Sequence, residues 1–144
     1  MTESENVQLP LLYCRNAGDA DARALHVLGL VGLADSASSL PTQLSGRQQQ
    51  RLAIARALVN EPEILLADEP TGQLDSHTSA EIMRIFQELN EKQRITIVVV
   101  THSEEVALFA DRIVTMRDGR ILGEQKSEGS KQFSHDQTRT GVRQ

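Results

Sequence analysis

At 144 residues and 39% apolar, the chain is long enough to bury a core, yet no apolar run approaches the ~20 residues that span a bilayer. A net charge of -5 with scattered arginines argues against a nucleic-acid partner, and aromatics at only 3% leave no base-stacking platform. One cysteine, Cys14, excludes an internal disulfide and reads as a buried or half-buried thiol, and with no basic start leading into an apolar stretch the chain reads as cytosolic.

Residues Met1 to Tyr13 read as a short segment with a helical turn broken near Pro10. From Asp19 to Val31, Ala22, Leu25, Leu28 and Val31 fit one face of an amphipathic helix, entered through Gly18-Asp19 and left near Gly32. A serine-rich loop over 35–43, with Pro41, leads to Leu44. Ser45 followed by Gln48 is a capping-box pattern, so a helix starts here and runs through Val59, with Leu52, Ala55 and Val59 on one face, until Asn60-Glu61-Pro62 stops it. Its N-terminus carries unpaired N–H groups and about half a positive charge, so Ser45, Gly46 and Gln48 could face an anion such as phosphate. An ordinary capped helix explains the same residues.

Ile64-Leu65-Leu66-Ala67 suits a strand covered on both faces, and it ends in two carboxylates, Asp68 and Glu69, before Pro70. Ligands of doubly wound sheets bind beyond the carboxyl ends of strands. There Asp68 would hold Mg²⁺ and Glu69 would polarise a water, the two roles phosphoryl transfer needs. After Asp75, Thr78 to Gln93 form a helix whose core stripe is Ile82, Ile85, Phe86 and Leu89. Ile95 to Thr101 is β-branched throughout, the pattern of a central strand, and it delivers His102 where the chain leaves the sheet. A lone histidine at that position is usually a surface or capping residue. Ser103 caps a short helix with Val106, Phe109 and Ala110 inward, and Asp118-Gly119 turns a hairpin between Ile113–Met116 and Ile121-Leu122. The polar residues 126–144 read as a disordered tail.

Several of these stretches occur together and in one order. LSGRQQQR from Leu44 to Arg51 resembles the signature motif of ABC transporter nucleotide-binding domains, ILLADEP from Ile64 to Pro70 their Walker B strand, and GQLD from Gly72 to Asp75 their D-loop. ENVQLPLL near the start and ADEPTGQLDS resemble the lipoprotein-release and macrolide-efflux branch. The resemblance covers roughly residues 3 to 125 and implies an α/β fold of the P-loop NTPase type, a sheet with flanking helices, with a helical subdomain over about 1–60 and a Walker B core over about 61–125. It implies that Asp68 holds Mg²⁺, Glu69 is the general base, His102 contacts the γ-phosphate, Asp75 makes the D-loop contact across a dimer, and Ser45, Gly46 and Gln48 bind ATP held mainly by a second cassette. The implied partners are that head-to-tail second cassette and a transmembrane permease, with the chain on the cytoplasmic face of the inner membrane. Arg47 departs from the family's usual glycine, adding bulk and charge beside the phosphate position, and Gln73 from a common asparagine.

No glycine in the sequence is followed by lysine, so the G-x-x-x-x-G-K-[ST] phosphate loop is absent from these residues. The resemblance is therefore to the C-terminal part of the domain, as a truncated, split or misassigned gene would give. In the family the phosphate-loop strand lies between the one ending at His102 and the one at Ile113–Met116, so unpaired strand edges, reduced cooperativity and negligible ATP turnover by the isolated chain are expected. Two rivals stand beside the ATPase reading: an inactive module that lends its signature helix to a complete subunit, and an ABC ATPase of DNA repair, which the acidic balance disfavours.

Overall fold

The computed structural model describes residues 1–14, 18–40 and 44–127. Residues 41–43 of the expected loop, and the expected polar tail from residue 128 onward, lie outside the described residues. The chain divides into two units, Met1–Val100 and Thr101–Gln144.

The first unit opens with α1 (Glu3–Gln8), capped by Thr2 and Glu5 in a reciprocal capping box and followed by a 3₁₀ turn over Leu9–Tyr13 that takes Pro10 near its start. α2 (Ala20–Leu30) starts at Asp19, whose carboxylate accepts from the Ala22 N–H at 3.0 Å, and α3 (Gly46–Leu58) starts at Ser45. These three helices pack on one another around Val7, Leu11, Ala24, Val27, Leu28, Val31, Leu52, Ala55, Leu58 and Val59, all buried. The α2 stripe differs from the expected one. Ala24, Val27, Leu28 and Val31 face the core while Ala22 and Leu25 face out, because 24, 27, 28 and 31 form a compact i, i+3, i+4, i+7 stripe whereas 22, 25, 28 and 31 drift about 60° per step and wind about halfway round the helix. Arg23 reaches from α2 to donate to the Val59 carbonyl at 2.7 Å, satisfying one of the acceptors that the end of α3 leaves open. Cys14 is exposed rather than half-buried, because it leaves the 3₁₀ turn in extended backbone on the surface, its thiol 3.3 Å from the Asn60 side-chain oxygen.

β1 (Ile64–Asp68) and β2 (Thr96–Val100) form a parallel pair joined by α4 (Ser76–Gln93), with Ile64 opposite Thr96 and Asp68 opposite Val100. α4 buries Ile82, Met83, Phe86 and Leu89, and Arg94 ends it in the left-handed conformation. The expectation of strands covered on both faces, with β2 central, is not met. Leu65, Ala67, Ile97 and Val99 turn inward, but Ile64, Leu66, Val98 and Val100 are exposed, and among the described residues β2 pairs only with β1. The β1–α4–β2 crossover supplies a helix to one face, and no described element buries the other.

In the second unit, α5 (Glu104–Ala107) is capped by Ser103 and buries Val106. β3 (Arg112–Arg117) and β4 (Arg120–Lys126) form an antiparallel hairpin in which Asp118 and Gly119 both have positive φ, as a two-residue type I′ turn requires. β4 extends past Leu122 to Lys126 because its backbone stays laddered to β3 although its side chains are polar. No described helix is long and apolar enough to cross a membrane.

Candidate functional site

The two parallel strands end together. Asp68 lies opposite Val100, and the next N–H, that of Glu69, donates to the Val100 carbonyl at 2.8 Å, so the carboxylate pair leaves the sheet at the carboxyl end of both strands. Glu69 has φ +44, a left-handed conformation unusual for a residue with a Cβ and a cost of about 1 kcal/mol. Pro70 behind it disfavours the right-handed helical alternative. The turn closes with the Gly72 N–H donating to the Glu69 carbonyl at 3.1 Å and the Leu74 N–H to Thr71 at 3.0 Å. Asp68 is exposed and Glu69 half-buried. Strained backbone at a strand end is a recurrent feature of functional sites, because the surroundings must hold it.

Asp75 closes that turn as the cap of α4. One oxygen accepts from the Thr78 N–H at 3.0 Å and the other from the Thr78 hydroxyl at 2.7 Å, and these bonds hold its carboxyl below the usual range. Thr78 is buried; nothing in its sequence position singled it out, although D-x-x-T is a cap pattern.

Ser45, Gly46 and Gln48 sit together at the start of α3. The Ser45 hydroxyl accepts from the Gln48 N–H at 3.3 Å, and the Gln48 side-chain oxygen accepts from the Ser45 N–H at 3.0 Å, so the expected capping box is present in full. Gly46 is exposed, and a Cβ there would meet nothing within 4 Å. The chain itself therefore places no steric demand for glycine at that position. Arg47 turns away from the helix end to Glu81 of α4, its Nη1 2.9 and 3.2 Å from the two carboxylate oxygens. Its guanidinium is thus engaged across 34 positions of chain, a pairing that no local pattern reveals.

His102 is exposed and follows Val100 by two residues, at the start of the second unit, where the Thr101 hydroxyl accepts from the Ser103 N–H at 3.1 Å. Among the described residues no three His, Cys, Asp or Glu side chains gather closely enough to hold a metal ion unaided. Mg²⁺ is commonly held by one or two carboxylates with the remaining positions filled by phosphate oxygens and water, and an exposed carboxylate at a strand end such as Asp68 is chemically compatible with that arrangement.

The family model described as ABC transporter matches residues 1–72, half of the chain. The macrolide export ATP-binding/permease protein MacB of Chlorobium luteolum is 51% identical over 128 residues, covering 89% of this chain and 19% of its own length. The chain thus spans about a fifth of that curated relative. Among solved structures, the dimeric ATP-binding cassette MJ0796 in a post-hydrolysis state bound to ADP and Pi is 46% identical with TM-score 0.74, over 90% of this chain and 58% of that one. The cbiO1 protein of Clostridium perfringens, part of the transporter complex cbiONQ, is 27% identical with TM-score 0.80, over 95% and 55%.

Proposed function

This chain belongs to the ABC transporter family, and from that membership we propose that it supplies the signature-helix and Walker B portion of an ATP-hydrolysing subunit coupled to transport through a membrane permease. In this reading Asp68 holds Mg²⁺ together with the nucleotide phosphates, Glu69 takes a proton from the attacking water, and His102 donates to the γ-phosphate. Ser45, Gly46 and Gln48 meet ATP carried mainly by a second cassette placed head to tail, and Asp75 touches that cassette. When bound, Mg²⁺ supplies neutralisation of phosphate charge. Everything else is positioning: phosphoryl transfer needs little covalent help from the protein, so oriented donors and one placed base account for most of the rate.

The observation that best supports this reading is the shared end of β1 and β2, with Glu69 in left-handed backbone and bonded to the Val100 carbonyl. The backbone there fixes the direction in which the Glu69 side chain leaves the strand end. The phosphate loop has no counterpart in these 144 residues, so the nucleotide's α and β phosphates are gripped by another segment. The ADP and Pi named for MJ0796 and the permease named for MacB are the corresponding ligand and partner. The chain then works on the cytoplasmic face of a membrane, touching the permease and not lipid.

Joining the 144 residues behind the phosphate-loop part of MJ0796 tests this. The chimaera is expected to turn over ATP, and Glu69→Gln to lower the rate about 10²–10⁴-fold, the usual contribution of a general base. The unjoined chain is expected to show negligible turnover. Equal rates for the folded chimaera and its Glu69→Gln variant would refute the assignment.

A further inference from the structure

Glu81 lies on α4 six positions beyond its Asp75 cap, about 9 Å along the helix. Its carboxylate accepts from Arg47 at 2.9 Å and from Arg51 at 3.4 Å, two arginines one turn apart on α3, and His77 stands 3.7 Å away one turn earlier on α4. Arg51 also donates through its other terminal nitrogen to the Val31 carbonyl at the end of α2, at 3.1 Å. One carboxylate therefore ties the first two turns of α3 to α4 and, through Arg51, to α2. Glu81 and Arg51 are each 21% exposed and Arg47 48%, so solvent screens the Arg51 arm of the tie less than the Arg47 arm.

What makes the tie consequential is how little else among the described residues anchors that end of α3, beyond the Arg51 bond to the Val31 carbonyl. From Ser45 to Arg51 no residue is buried; the apolar contacts begin at Leu52 and run to Val59. The remaining side-chain bonds there, Ser45 with Gln48 and Gln49 with the Leu44 carbonyl, are local and leave the direction of the helix end unset. Resting on the assignment of this helix end to nucleotide, we propose that Glu81 is a positioning residue: by holding Arg47 and Arg51 it fixes the orientation of Ser45, Gly46 and Gln48 relative to the Asp75 cap. Two parts of the site that would face a partner cassette then move as one body. Burial pushes the Glu81 carboxyl up, but the Arg47 hydrogen bond and the charges of Arg47, Arg51 and His77 together bring it below the usual range, so it is ionised at neutral pH. Arg47, in the place where glycine is usual in the family, thus strengthens a mechanical link and need not crowd the phosphate.

The test uses the full chain with Cys14→Ser and nitroxide labels at the exposed positions Gln49 and Ser76, read by pulsed electron resonance. The parent is expected to give a narrow distance distribution, Glu81→Gln and Arg47→Ala a shifted and broadened one, and Arg47→Lys a return towards the parent. In parallel, MgATP-dependent association with a hydrolysis-deficient MJ0796 cassette is followed by sedimentation, with Ser45→Ala as the control on the nucleotide assignment. Weakened association in both Ser45→Ala and Glu81→Gln, with recovery for Arg47→Lys relative to Arg47→Ala, supports the proposal. Weakening in Ser45→Ala alone, or an unchanged distance distribution in Glu81→Gln, overturns it. If neither variant affects association, the nucleotide assignment of α3 is what fails, and the positioning role falls with it even where the distances broaden.

Discussion

The three-helix region of the first unit is the more polar in sequence and yet the better buried, while the strand pair is nearly all apolar and half exposed. Leu28 is 0% exposed between α1 and α3, whereas Leu66, in a continuous apolar run, is 76% exposed on β1. The helices form a closed set, each offering one stripe to the other two. The strands have two faces and one helix, so half of their apolar surface lacks a partner within the described chain. Parallel sheets are almost always covered on both sides, so the second region is the one whose packing the described residues leave open.

The largest expected effect tests that contrast directly. Leu28→Ala should cost about 2–5 kcal/mol, as truncation in a closed core does, while Leu66→Ala should change stability by less than about 0.5 kcal/mol, as at a surface position. Urea denaturation of the two variants measures both. Comparable losses would mean that the outer face of β1 is covered in solution.

The helical region buries an unsatisfied carboxyl, and it sharpens the comparison from the other side. Glu3 is fully buried with neither carboxylate oxygen accepting a hydrogen bond, and burial pushes its pKa up. A carboxyl whose folded pKa is raised favours the folded state while protonated, below its ordinary value of 4.5, and this contribution is lost as pH rises through the folded value. Glu3→Met should therefore stabilise the chain by about 1–3 kcal/mol at neutral pH, the cost of an unsatisfied buried polar group, and by less in acid. A gain that does not shrink on acidification would show that packing and not charge is responsible.

What could be read from the sequence divides along the same line. Caps and turns are local, so Ser45 with Gln48, the Asp19 cap and the Asp118-Gly119 turn were legible from a few neighbouring residues. The Thr2 and Glu5 box is a pattern of the same local kind. Burial is not local. The α2 face depended on choosing between two overlapping stripes, and the exposure of Leu66 and Val98 on which elements the chain supplies. Of the candidate site, the carboxylate pair at a strand end was visible as charge interrupting an apolar run. The left-handed turn at Glu69 and the Arg47–Glu81 contact were not, since one is a backbone state that several residues jointly impose and the other joins helices far apart in sequence.

The smallest effect on stability carries the clearest signature in solution. Ile64, Leu66, Val98 and Val100 occupy one face of the β1–β2 pair, because the register sets Leu66 opposite Val98 and side chains alternate along each strand. A contiguous apolar face beside an unpaired strand edge is a template for association between copies. Replacing Leu66 and Val98 together by threonine puts a β-branched, strand-compatible residue at both sites while removing apolar surface already in contact with water. Unfolding free energy should stay within about 0.5 kcal/mol of the parent, yet sedimentation velocity over a concentration series should show weaker self-association. Unchanged association would mean that this face is not the sticky one, and would shift attention to the free edge of β2, where the backbone and not the side chains makes the contact.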